Sequence, residues 1–269
     1  MHSLRVAAIQ LNSQPDVNYN LAEIYKWVEQ AAEKNAKLIC LPENFAFMGD
    51  EKERLRQADK ISKRVDEQLS EWAQKAGATI LAGGYPVPAE NGKVFNRSAL
   101  FSKTGKIVAT YDKIHLFDVS LSKRETYIES DMVQPGREVV VEDLPESGFK
   151  IGLSVCYDIR FPELYRTQAA KGANILTVPS AFTKPTGKAH WETLLRARAI
   201  ENQSYMIAPA QTGKHGKKRE TFGHSMIIDP WGAIFSKTET EPGIITAELE
   251  MDVLRDVRKK LPSLNHRVL

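Results

Sequence analysis

Two cysteines, Cys40 and Cys156, are all that 269 residues contain. A lone pair builds neither a disulfide framework nor a four-sulfur zinc site, so either one matters only as a thiol. Long apolar runs are missing too: none approaches the roughly 18 residues that a bilayer demands. The run Val6-Ala7-Ala8-Ile9 near the N-terminus is too short for a signal peptide, so a cytoplasmic protein and no membrane partner are expected. Charge of one sign is scarcely in excess, with Lys+Arg 37 against Asp+Glu 34 and a net charge of +3, which argues against nucleic acid as a partner. The one basic run, Lys214-His215-Gly216-Lys217-Lys218-Arg219, reads as a solvated loop. Gly 16 and Pro 13 are dispersed, so no low-complexity linker divides the chain and one domain over residues 1–269 is expected. The six histidines form no His-Glu-x-x-His and no cluster of ligands, which leaves zinc hydrolysis and any metal site without support.

What is present is the composition of a globular chain with a large core, 42% apolar and 26% charged. Val6 to Leu11 reads as a buried strand, and a helix from about Asn20 shows Leu21, Ile24, Val28 and Ala31 on one face. Leu38 to Leu41 is the next strand. The pattern returns with a strand at Lys150–Val155, a helix at Pro162–Lys171 and a strand at Asn174–Val178, giving a second β-α-β unit. Between them lie one long amphipathic helix over Glu51–Ala76 and strands at 79–85, 96–102 and 106–110. A helix from Lys188 to Glu201 leads into four more strands, two of them joined by the turn Asp229-Pro230-Trp231-Gly232. The class is α/β or α+β with mixed sheets covered by helices. Asp118 to Pro135 has no clear period and is expected to be a functional lid.

Cys156 ends an apolar strand shortly before a helix that Pro162 opens, where the local field favours a thiolate nucleophile; the competing reading is a cysteine that merely packs. Cys40 lies mid-strand and reads as core. Glu43, in Leu41-Pro42-Glu43-Asn44, stands just past another strand's carboxyl end, the edge where open sheets bind ligands; otherwise it is a surface carboxylate in a turn. Lys113, in Asp112-Lys113-Ile114-His115-Leu116-Phe117, is a charge among apolar and aromatic neighbours, either snorkelling or functional.

These two segments, together with Cys156-Tyr157-Asp158-Ile159-Arg160-Phe161-Pro162-Glu163, resemble in order and spacing the three catalytic blocks of the nitrilase superfamily, the carbon–nitrogen hydrolases. The resemblance runs from Arg5 to about Arg267 and implies a four-layer α-β-β-α sandwich of α+β (α/β-type) class. It implies Cys156 as nucleophile, Glu43 as general base and Lys113 as stabiliser of the tetrahedral intermediate. A second glutamate, ahead of a Pro-Gly, matches Glu129 before Pro135-Gly136, with Glu125 as the competing position. No cofactor is implied, the partner is a small-molecule substrate, and subunits are expected to pair into a homodimer or larger homo-oligomer.

The segments His190–Glu201 and His215–Gly232, the latter with Gly223-His224-Ser225-Met226, resemble most the deaminated glutathione amidase branch, relatives of ω-amidase. In that branch Arg160 resembles the arginine facing the substrate's carboxylate, Phe182 a pocket wall, and Tyr157 a substrate contact beside the nucleophile. For Arg160 a structural ion pair with Glu163 or another acid is the alternative. A nitrilase, or an ω-amidase acting on α-ketoglutaramate, would use the same triad. A papain-like pairing of Cys156 with His115, His190 or His224 leaves Glu43 and Lys113 unexplained, and a non-catalytic scaffold leaves four chemically competent positions unexplained.

Overall fold

The first strand already faces two cores. In the computed structural model, which describes residues 3–122, 125–145, 147–216 and 219–268, β1 (Ser3–Gln10) turns Leu4, Val6 and Ala8 to one core and Ala7 and Ile9 to another. A strand covered on both sides reads as a continuous apolar run rather than an alternating one, which is why Val6–Ile9 shows no period of two. There follow α1 (Val17–Glu33), β2 (Leu38–Cys40), α2 (Glu51–Arg56), α3 (Ala58–Ala76), β3 (Thr79–Pro88), β4 (Val94–Phe101) and β5 (Ile107–Asp112). A hairpin of β6 (Asp118–Ser122) and β7 (Glu125–Ile128) comes next. The second half comprises β8 (Val141–Leu144), β9 (Phe149–Gly152), α4 (Pro162–Ala170), β10 (Ile175–Thr177), α5 (Lys184–Asn202) and β11 (Tyr205–Ala208). After these come the hairpin β12 (Thr212–His215) and β13 (Arg219–Phe222), then β14 (Met226–Ile228), β15 (Ile234–Lys237), β16 (Gly243–Glu250) and α6 (Met251–Lys260).

Two six-stranded sheets result, ordered β16-β1-β2-β3-β4-β5 and β15-β14-β11-β10-β9-β8. Each has the same plan. β1, β2 and β3 are parallel and joined by α1 and by α2–α3, while β4 and β5 run antiparallel beyond them. β9, β10 and β11 are parallel and joined by α4 and α5, with β14 and β15 antiparallel beyond. An antiparallel strand, β16 or β8, closes the remaining edge of each parallel trio. Val6, Leu38, Leu81 and Leu100 of the first sheet share one core with Ile151, Ile175, Met206 and Ile227 of the second. Leu21, Ile24 and Val28 of α1 and Ile61, Val65 and Leu69 of α3 cover the first sheet's outer face. Trp191, Leu195 and Ala199 of α5 join that shared core where the helix packs on β11 and β14 of the second sheet. The order of layers is therefore α-β-β-α, as the resemblance implies.

Several boundaries differ from the sequence reading for local reasons. α1 begins at Val17 because the Asp16 carboxylate accepts the Tyr19 N–H at 3.0 Å and caps the helix. The single helix expected over 51–76 is two, parted at Gln57, since α2 turns Arg54 inward whereas α3 buries an apolar stripe. The 118–135 segment holds the β6–β7 hairpin, too short for its alternation to stand out. The basic run expected as a solvated loop instead belongs to the β12–β13 hairpin, with Lys214 and His215 ending β12 and Arg219 beginning β13: His215 is buried, donating through Nδ1 to the Ser13 carbonyl (2.7 Å) and accepting at Nε2 from Thr221 (2.6 Å). Burial pushes the His215 imidazole down to about 4, so it stays neutral. Lys217 and Lys218 lie outside the described residues.

Candidate active site

Glu43 leaves the carboxyl end of β2 and is brought inward by a pair of glycines the sequence reading passed over. At Gly83 and Gly84 the pairing of β3 with β4 shifts register, and Gly84 bridges Glu43 while its carbonyl accepts the Asn44 N–H at 2.8 Å. A Cβ on Gly83 would stand 1.9 Å from the Leu41 carbonyl oxygen, so no other residue fits without moving backbone. Gly83→Ala is expected to destabilise the fold by about 3 kcal/mol or more, as a shift of the urea midpoint; an unchanged midpoint would contradict this packing.

Lys113 follows β5, its N–H bonded to the Asn96 carbonyl at 3.0 Å and its carbonyl accepting the Gly136 N–H at 2.9 Å. The Pro-Gly read from the sequence thus packs against the lysine's own backbone: a Cβ on Gly136 would sit 2.1 Å from the Asp112 carbonyl oxygen.

Cys156 opens a short 3-10 turn, Cys156–Arg160, with φ +50, a conformation that non-glycine residues avoid. Asp158 holds that turn. Fully buried, its carboxylate accepts the Val155 N–H (2.8 Å), the Tyr111 hydroxyl (2.7 Å) and the His115 N–H (3.0 Å), and pairs with His115 Nδ1 at 2.7 Å. The cysteine's turn and the lysine's loop are thereby fixed to one carboxylate. The sequence reading gave Asp158 no role, and a single Asp in a motif offers no signal of one.

These segments meet in a cavity of about 220 Å³ lined by Glu43, Lys113, Glu129 and Cys156, with Tyr157 and Phe182 as aromatic wall. Glu43 accepts from Asn96 Nδ2 (2.8 Å), Lys113 Nζ (3.1 Å) and the Ala181 N–H (2.9 Å), and the Cys156 thiol donates to it. Lys113 also donates to both oxygens of Glu129, at 3.0 and 2.8 Å, and Glu129 Oε2 takes the Phe117 N–H at 2.7 Å. Burial pushes the Glu43 carboxyl up, but Lys113, Arg219 and the hydrogen bonds from Cys156 and Lys113 more than offset it, leaving it below its ordinary value. Burial pulls the Lys113 ammonium down, and Glu129 and Glu43 outweigh that, leaving it above its ordinary value. The thiol behaves differently from the sequence expectation. Burial first, then the Glu43 charge, push Cys156 well above the usual thiol range, against the opposing pull of Lys113 and the Ala181 N–H. Cys156 thus rests as a neutral thiol: the 3-10 turn separates it from the N-terminal end of α4, so the helix field cannot offset the loss of water.

Arg160 stands outside the lining. Its guanidinium lies over two of the wall rings, 5.3 Å from the Phe182 ring centre and 5.7 Å from that of Tyr157, with both terminal nitrogens 3.4 Å from His190 Nδ1. The arginines that do line the cavity are Arg54 and Arg219, which the sequence reading left in a helix and a loop. None of the three histidines weighed as partners for Cys156 is spent there. His115 stacks on Phe161 at 3.6 Å and holds Asp158, His190 meets Arg160, and His224 stacks on Phe222 at 4.1 Å. Trp191 is core, its Nε1 donating to the His224 carbonyl at 2.8 Å.

Glu129→Gln is expected to lower kcat/KM about 10²-fold, because the amide leaves the buried ammonium with one counter-charge and turns a donor toward it. Glu125→Gln should stay within about twofold, as for a surface change. Glu125 begins β7, and its side chain lies outside the described residues. Initial rates of the two variants decide between them; sensitivity at Glu125 alone would reverse the choice.

Residues 5–259 match the carbon-nitrogen hydrolase family model. A deaminated glutathione amidase from Synechocystis sp. is 48% identical over 264 residues, covering 97% of each chain. The crystal structure of the Caenorhabditis elegans NitFhit protein superposes with a TM-score of 0.93 at 36% identity, over 100% of this chain and 66% of that one. Saccharomyces cerevisiae Nit3, described as a member of branch 10 of the nitrilase superfamily, gives 0.86 at 32%, over 97% of this chain and 95% of the other.

Proposed function

Because the chain belongs to the carbon-nitrogen hydrolase family, we propose that it is a thiol-dependent amidase cleaving the amide of deaminated glutathione, with Cys156, Glu43, Lys113 and Glu129 as its machinery. The observation that carries this reading is the convergence of one thiol, two carboxylates and one ammonium in a single cavity, in a chain 48% identical to an amidase of that name.

The chemistry follows from the contacts. Sγ of Cys156 attacks the amide carbon as its proton passes to Glu43, which already accepts that hydrogen bond. The electron pair of the C=O moves to oxygen, and the Lys113 ammonium faces the charge that forms there. Glu43 then returns the proton to the departing nitrogen, the C–N bond breaks, and a thioester remains. Water, giving its proton to Glu43, adds to the thioester; collapse releases the acid and restores the thiol. Atoms balance with water as the sole co-reactant. Glu129 keeps Lys113 aimed, which matters because a misplaced charge loses most of its value in the transition state.

The test is a panel of deaminated glutathione, α-ketoglutaramate, butyramide and an aliphatic nitrile. The highest kcat/KM is expected for deaminated glutathione, and faster turnover of the nitrile than of any amide would overturn the reading. A homodimer in the cytoplasm belongs to the same proposal. Its support is two free cysteines, as a reducing compartment keeps them, and an exposed apolar set of Ile200 on α5 with Trp231 and Phe235 at the β14–β15 edge. A monomer in sedimentation would remove that part.

A further inference from the structure

Of the two arginines in the cavity, one is spent and one is not. Arg54 is buried, with Nη1 donating to Asn44 Oδ1 at 2.6 Å and Nε 3.1 Å from Glu51 Oε2. Arg219, first residue of β13, also lines the cavity. Its Nη1 stands 3.4 Å from Glu51 Oε1, a long contact with a carboxylate that already serves Arg54. Its Nε is buried and without a hydrogen-bond partner among the described residues. The guanidinium lies over the Tyr127 ring, 5.9 Å from its centre, so the lid hairpin fixes one face and leaves an edge for a ligand. A buried N–H donor without an acceptor is uncommon in a folded protein and calls for an explanation. Here the explanation is an acceptor that arrives with the substrate.

Resting on the amidase reading, we propose that Arg219 is a specificity-determining residue that takes a carboxylate of the substrate along its Nε edge, restricting the enzyme to acidic amides. A planar carboxylate suits that edge because a guanidinium can hold its two oxygens with parallel N–H bonds. A neutral amide would leave the donor unsatisfied, which is how a site rejects an analogue that lacks the matching group. Arg160 is not among the lining residues, and its terminal nitrogens face His190 Nδ1.

The carboxylate can belong to the acyl half of the substrate or to the departing amine, and three probes separate these. α-Ketoglutaramate carries it in the acyl half, N-butyrylglycine in the amine half, and butyramide carries none. For Arg219→Gln, kcat/KM for one of the acidic amides relative to butyramide is expected to fall roughly 30-fold or more, chiefly through KM. The amide whose ratio falls names the half that Arg219 holds. Arg219→Lys, which keeps the charge but not the fork, should recover part of the loss, and it carries the test if the glutamine variant does not fold. Both ratios staying within about threefold of wild type would overturn the proposal. Should wild type hydrolyse none of the amides, the amidase reading fails by itself. Arg219 is then judged by calorimetry of α-ketoglutarate and N-butyrylglycine with Cys156→Ala. Binding that weakens about tenfold or more on adding Arg219→Gln sustains the proposal; unchanged binding, or none at the start, overturns it.

Discussion

Cys156→Ala is expected to lower kcat at least about 10⁴-fold while leaving the fold intact, because it removes the only atom that forms the thioester. What remains is the carboxylate and ammonium, and acid–base assistance of that kind is worth only about 10²–10⁴-fold. The effect on stability should be small, since alanine and cysteine bear the same penalty at φ +50 and little apolar surface changes hands. Cys156→Gly should therefore be the more stable of the two by roughly 1 kcal/mol, provided the glycine adopts the positive φ without further freedom. Steady-state rates and thermal melts check both statements. An alanine variant retaining more than about a hundredth of the activity would remove Cys156 from the nucleophile's role.

Glu43→Gln comes next in size, with an expected loss of about 10³-fold or more in kcat. The amide cannot take the thiol proton, and burial would then keep Cys156 neutral throughout the working range. The same pair sets the pH dependence. Glu43 has its carboxyl below the ordinary 4.5, so what its ionisation contributes to stability is complete above that value and is lost as pH falls through the folded-state value. Lys113 lies above its ordinary 10.5, so its contribution is complete below that value and is lost as pH rises through the folded-state one. Between these limits both groups stay charged, and the rate should be flat from about pH 5 to about pH 10 apart from titration of the substrate. A rate that rises through pH 8 to 9, following a thiol titration, would mean that Cys156 reacts as a preformed thiolate and that Glu43 is not its base.

How far the site is legible in the chain depends on the range of the interaction concerned. Glu43 and Cys156 stand at the ends of apolar runs and Lys113 is a charge among apolar and aromatic neighbours, so local pattern marks all three before any resemblance is invoked. Glu129 is marked only by its distance from Pro135-Gly136, and the structure gives that spacing a cause: Gly136 packs on the backbone that carries Lys113. Arg219 was hidden in the basic run, because a charge run looks alike whether it is solvated or folded into a hairpin. Arg160, four residues beyond Cys156 in sequence, is not among the residues that line the cavity and lies against the Phe182 ring. The Gly83-Gly84 bulge is visible as an interruption in a strand, yet its partner is Leu41, more than forty residues away.

The sequence by itself determined the β-α-β units and most of the longer elements, because strand and helix periods are set by neighbours within a few residues, and it determined which side chains have the chemistry. Only the tertiary structure decided the protonation of Cys156, the pairing of Lys113 with two carboxylates at once, and the placing of Arg54 and Arg219 in the cavity lining. These depend on burial and on charges brought together from segments 70 residues apart, as Glu43 and Lys113 are. Loss of water and the approach of opposite charge act through space, and no local pattern in the chain records them.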